Sequence, residues 1–246
     1  MKSTHLVATA LVAALTMAQA ALASISVVAP ATLTGTQFVT FDDVVGGVSP
    51  GTNYDAVFTS GGVSFAERFA GQTNTPASGF DVLSGTPSGT LSLAVGNAGQ
   101  NLSIFVNPIS GISQVLVGLG SAGGLVDEGI GEGSFAALFA TDQSEFGFEL
   151  VGGNGGSATV QFFRRDGTLI DSIILTALAN QSYGFKRDGG TFDIAGVSVH
   201  NQDDGGIAFD TLRYDVRRGL TVPEPASLAL VGFALLGLAA SRQRRG

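Results

Sequence analysis

A chain of 246 residues with 44% hydrophobic side chains and 36 glycines has ample material for a core and many turns, which excludes disorder and favours short strands over packed helices. The formal charge is −8, and from Ser24 to Thr221 the 19 acidic and 8 basic side chains leave −11. Such a surface repels nucleic-acid phosphates and attracts divalent cations. Cysteine is absent, so a disulfide framework, a cysteine-ligated zinc and a thiol nucleophile are excluded.

At the N-terminus Lys2 supplies positive charge, Leu6 to Met17 is apolar, and Ala21-Leu22-Ala23 places small residues where a signal peptidase reads them. Residues 1–23 are therefore expected to be a signal helix removed on export, with Ala18-Gln19-Ala20 as an alternative site. Residues 24–37 are expected to be a lead-in, and 38–218 a β-sandwich domain.

Within that domain, short β-rich runs are broken by Gly, Asn, Asp and Pro. Leu91 to Val95, Leu102 to Val106, Val115 to Leu119, Phe146 to Leu150 and Val160 to Phe163 alternate and read as half-buried strands. Phe135 to Ala140 has helical composition, but close turn signals on both sides favour a strand. Asp166-Gly167 is expected to turn a hairpin between the runs ending at Phe163 and starting at Leu169, through positive φ angles.

Residues 219–246 have three parts: Val222, Pro223, Glu224 and Pro225; an apolar run from Leu228 to Ala240; and the basic cluster Arg242, Arg244 and Arg245. The prolines keep the backbone extended for a peptidase. The apolar run has no polar face, so a surface helix packed on the domain is disfavoured, and the arginines favour a cytoplasmic end. A plain membrane anchor is the remaining alternative. This tail resembles the PEP-CTERM sorting signal of Gram-negative bacteria. The resemblance implies an exosortase as processing partner, a transient inner-membrane stay through a hydrophobic helix, and a destination at the cell surface or in an extracellular matrix. The segments Gly147 to Leu150, Ala158 to Leu169, Ile194 to Val199 and Ile207 to Tyr214 resemble the jelly-roll, lectin-like domains common in PEP-CTERM proteins. The expected fold is thus an all-β, jelly-roll-like sandwich flanked by an N-terminal signal helix and a C-terminal hydrophobic helix.

Candidate sites are sparse. Asp42, Asp43 and Asp210 lie at the ends of the first and last expected strands; if those strands are neighbours, the three carboxylates would suit calcium, against the commoner reading of strand-end aspartates as turn formers. The loop Asn201 to Gly206 suits sugar hydroxyls or calcium, and more simply a solvated turn. Sugar stacking would fall to Tyr54, Tyr183 and Tyr214, since Trp is absent. A Ser-His-acid triad would need His200, and no Gly-x-Ser-x-Gly elbow accompanies it. Glu128, Glu132, Glu145 and Glu149 carry nothing that marks a carboxylate pair. Gly129 to Gly133 imitates a phosphate loop without the βαβ setting. No catalytic residue is assigned. The expected function is a non-enzymatic surface protein, structural or associated with extracellular polysaccharide; a calcium-dependent lectin is the alternative, and a secreted hydrolase comes third.

Overall fold

The structure is a computed structural model that describes residues 24–48, 51–107, 109–121 and 131–215. The expected signal segment with Ala21 and Ala23, the Val222 to Pro225 motif, the two expected flanking helices and Arg242, Arg244 and Arg245 lie outside the described residues. Among those described, no helix is long and apolar enough to cross a membrane.

Among the described residues, every regular element but two short 3-10 turns is a strand. The first five are β1 (Ile25–Val28), β2 (Gln37–Val39), β3 (Thr52–Tyr54), β4 (Phe58–Ser60) and β5 (Val63–Ala66). Four short ones follow: β6 (Arg68–Phe69), β7 (Thr73–Ala77), β8 (Phe80–Ser84) and β9 (Leu93–Ala94). Then come β10 (Leu102–Val106), β11 (Gln114–Gly118), β12 (Phe135–Gln143), β13 (Glu145–Gly152) and β14 (Ser157–Phe163). The last are β15 (Leu169–Thr176), β16 (Gln181–Arg187), β17 (Ile194–Gln202) and β18 (Ile207–Tyr214). Phe135 to Ala140, expected as a strand, lies in β12.

One sheet runs β1-β16-β13-β18-β11-β10-β3 with β2 also on β18, and the other runs β15-β14-β17-β12-β5-β4. From β11 onward the chain gives the neighbours β11-β18-β13-β16 in the first sheet and β12-β17-β14-β15 in the second. Eight strands in that order are a jelly roll, two Greek keys wound over two sheets. It begins at Gln114, earlier than the resemblance read from the sequence. The earlier strands extend it: β10, β3 and β1 widen the first sheet, β5 and β4 the second. Residues 24–37, set apart as a lead-in, carry β1, whose four residues pair with Gly184 to Arg187.

Alternation puts one side of the strands of these two sheets between them, and phenylalanines fill that space. Phe135 of β12 meets Phe209 of β18 edge-on at 4.5 Å, and Phe139 meets Phe146 of β13 at 5.8 Å. Phe162 of β14 packs on Phe185 of β16 at 5.2 Å. These contacts join the two sheets and replace the missing tryptophan as the bulk of the core.

Several strands expected to be half buried are covered on both faces. The outer face of the second sheet carries a further cluster of Phe69, Leu91, Ala136, Phe163 and Ala195, contributed in part by the chain between β5 and β10. Gln72 fixes that segment by donating to Gln161 Oε1 at 3.0 Å and Ser198 Oγ at 3.1 Å, and Leu91 N–H donates to the Arg165 carbonyl at 2.9 Å. β17 is consequently buried along eight of its nine residues. On the first sheet, Phe105, Val115, Val117, Val151 and Ala208 form a separate outer cluster, so β10 and β11 lose their alternation too.

The hairpin at Asp166-Gly167 forms as expected, but only Gly167 takes a positive φ, 86°. Gly167 N–H donates to the Arg164 carbonyl and Arg164 N–H to the Thr168 carbonyl, each at 2.9 Å. The turn therefore needs one left-handed residue, not two.

Candidate functional site

The chain between β5 and β10 does more than cover the second sheet. Its β6–β9 and β7–β8 pairs stand off the sandwich, and they wall a cleft of about 530 Å³. Glu67, Arg68, Gln72, Asn74, Asn97 and Gln100 supply most of its polar lining.

Glu67 lies where β5 passes into β6 and is buried. Its N–H donates to Asn101 Oδ1 at 2.8 Å, and its carbonyl accepts from Ser134 Oγ at 3.0 Å. Its carboxylate pairs with Arg68 and accepts from Asn74 Nδ2 at 2.9 Å. Asn101, wholly buried, also accepts from Gly96 N–H at 3.3 Å and donates to the Tyr54 carbonyl at 2.6 Å, tying the cleft wall to β3. On the opposite wall Asn97 Nδ2 donates to Gln100 Oε1 at 2.9 Å, and Gln100 Nε2 donates to the Ser121 carbonyl at 2.5 Å.

Behind Glu67 and Asn74 lies Asp81 of β8, fully buried. Asp81 Oδ2 accepts from Ser134 N–H at 3.2 Å. Burial pushes the Glu67 carboxyl up from the usual range, the Asp81 charge adds to this, and Arg68 and Asn74 oppose it. Burial likewise raises Asp81, against the Asn74 amide and Ser134.

The residues singled out from sequence are distributed elsewhere. The first and last strands of the sandwich do run together, since β2 pairs with β18 from Gln37–Tyr214 to Val39–Leu212. Yet Asp42, Asp43 and Asp210 are not gathered: Asp43 accepts from Ser60 Oγ and from Gly61 N–H at 2.9 Å, at the β4–β5 turn. Asp210 follows the inward Phe209 and so faces out of the sandwich, where it accepts from Asn107 Nδ2 at 2.8 Å and Ser113 Oγ at 2.7 Å. Among the described residues, no group of three or more His, Asp or Glu side chains is placed to hold a metal ion.

The Asn201 to Gly206 loop is an internal tie. Buried Asp203 accepts N–H bonds from Asn154 at 2.8 Å, Gly156 at 2.7 Å and Gly205 at 3.0 Å, which joins the β13–β14 and β17–β18 turns. Glu145 binds the N–H groups of Thr34 and Gly35 and pairs with Lys186 at 3.2 Å. His200 is buried in β17, away from the cleft lining, and burial lowers its pKa. Of the tyrosines, Tyr54 donates to the Val45 carbonyl and Tyr214 to the Gly61 carbonyl, both at 2.6 Å. Tyr183 lines a second, smaller groove of about 160 Å³ with Phe38, Phe148 and Arg213.

Sequence reading passed over Glu67, Arg68, Asn74 and Asp81. The available signal was a charged pair inside the apolar run Phe65 to Phe69, and an aspartate between Phe80 and Val82. A comparison with known protein families matches residues 221–245 to the PEP-CTERM protein-sorting motif. No curated protein matches the chain.

Proposed function

Because this chain carries the PEP-CTERM protein-sorting motif, which marks a protein sorted by an exosortase to the cell envelope or surface, we propose that its jelly roll works there as a non-enzymatic, glycan-contacting module. The supporting observation is the cleft between the β6–β9 segment and Ser121, lined by a carboxylate, a guanidinium and four side-chain amides. Such groups donate and accept in pairs, as the vicinal hydroxyls of a sugar do, and the apolar part of the lining, Pro76 and Val95, suits the less polar face of the ring. An extracellular polysaccharide is the partner that combines this chemistry with that destination.

Hydrolysis is the weaker reading of the same cleft. It requires two carboxyl groups on either side of the scissile bond. Glu67 is the one carboxylate lining the cleft among the described residues, and Arg68 engages it.

A glycan array probed with the purified chain tests the reading. Binding is expected to at least one extracellular polysaccharide, and replacing Asn97 and Gln100 together by Ala is expected to weaken it about tenfold or more, the value of one to two lost hydrogen bonds. No binding to any glycan, or binding indifferent to that double change, rules it out.

A further inference from the structure

Glu67 and Asn74 line the cleft with Asp81 buried behind them, and two oxygens of this group have no well-formed hydrogen bond. Asp81 is wholly buried; its Oδ2 takes the Ser134 N–H and the Asn74 amide is near enough to favour its charge, but its Oδ1 accepts no well-formed hydrogen bond. Asn74 Oδ1 is also shielded from solvent and accepts nothing. Asn74 turns its Nδ2 to Glu67 Oε1 at 2.9 Å, and since Oδ1 sits on the same carbon, that oxygen is held beside the Glu67 carboxylate. The charge is unbalanced as well: the Asp81 carboxylate acts on Glu67, and Arg68 is the cation that acts on both. A buried acceptor without a donor is strongly disfavoured, and a buried carboxylate more so.

We propose that Asp81 Oδ1, Asn74 Oδ1 and the Glu67 carboxylate form a site for a divalent cation, calcium by its chemistry. Two carboxylates and an amide carbonyl are hard oxygen donors of the kind calcium takes, and its six to eight positions leave several for water on the open side of the cleft. The site is distinct from Asp42, Asp43 and Asp210. With two carboxylates and one amide it also differs in kind from a cluster of three acids. It stands apart from the glycan reading, because it asks only whether the protein binds an ion.

The test is a thermal melt of the full-length chain in detergent, stripped with a chelator, then titrated with calcium in the absence of any sugar. At a calcium concentration about 100 times Kd, Tm is expected to rise by about 5–10 °C. Asp81→Asn keeps the shape, removes the buried charge, and is expected to fold and lose the shift. Asn74→Ala, at the half-exposed rim, is expected to cut the calcium affinity at least tenfold and decides the matter if Asp81→Asn does not fold. Asp210→Asn is expected to keep the full shift. An unmoved midpoint in the unaltered chain overturns the proposal, as does a calcium shift that survives Asp81→Asn or Asn74→Ala. Glycan binding in chelator with no calcium shift would leave the cleft reading standing and this one not; a calcium shift without glycan binding would do the reverse.

Discussion

Asp193, on the way into β17, shows how single carboxylates hold this sandwich at its edges. The buried Arg187 grips it with two bonds, Nε to Oδ1 at 2.6 Å and Nη2 to Oδ2 at 2.8 Å, while Arg164 Nε reaches Oδ2 at 3.0 Å. Arg187 also donates to the Ser24 carbonyl at 3.2 Å, so the pair fixes the start of β1 to the end of β16. Burial alone would raise the Asp193 pKa, but Arg187 and then Arg164 hold it below the usual range. Its folded value being depressed, its stabilisation is present above the unfolded pKa and is lost as pH falls through the folded one. Asp193→Ala is expected to cost about 2–4 kcal/mol in denaturant melts at pH 7, since it takes the bidentate acceptor from a buried guanidinium. Arg164→Ala, whose partner is shared and whose own side chain is more exposed, is expected to cost under about 1 kcal/mol. Equal losses would show that the Arg187 contact is not the one that matters.

At the scale of elements, the crossover from β11 to β12 depends on glycine. Gly133 N–H donates to the Gly118 carbonyl at 3.1 Å, and the backbones there approach so closely that a Cβ on Gly118 would strike Gly133, while one on Gly133 would strike Gly118 and Gly120. Gly131 is held in the same way against Gly118. Gly131 and Gly133, part of the stretch that imitates a phosphate loop in sequence, thus serve close packing between a first-sheet strand and its second-sheet successor. Gly118→Ala is expected to destabilise by about 1–3 kcal/mol, against under about 0.5 kcal/mol for Gly47→Ala, whose φ is not left-handed and whose new Cβ would meet its nearest atoms at 3.5 Å, an ordinary contact. Asp166-Gly167 marked the hairpin after β14, and period-two alternation revealed β13 and β14 because each has one face in the core. It misjudged how far β10 and β11 are buried, and gave no warning of β17's cover, because a second covering layer leaves no trace in the strand it covers.

For the whole molecule, the described sandwich ends at Asp215, and the sorting motif at 221–245 follows within a few residues. Intact mass and terminal sequencing of the protein from its host envelope are expected to give a chain starting near Ser24 and ending near Pro225. A chain that keeps Leu228 to Gly246 would instead be permanently anchored. Composition and local order determined the sorting signal, the all-β class and the strands with one wet face, because those features are written in contiguous residues. The tertiary structure alone decided the jelly-roll strand order, the separation of Asp43 from Asp210, and the cleft where Glu67, Asn74 and Asp81 meet Asn101 and Ser134. These side chains come together only when the β6–β9 segment folds back over the sandwich, across distances in sequence that no local pattern records.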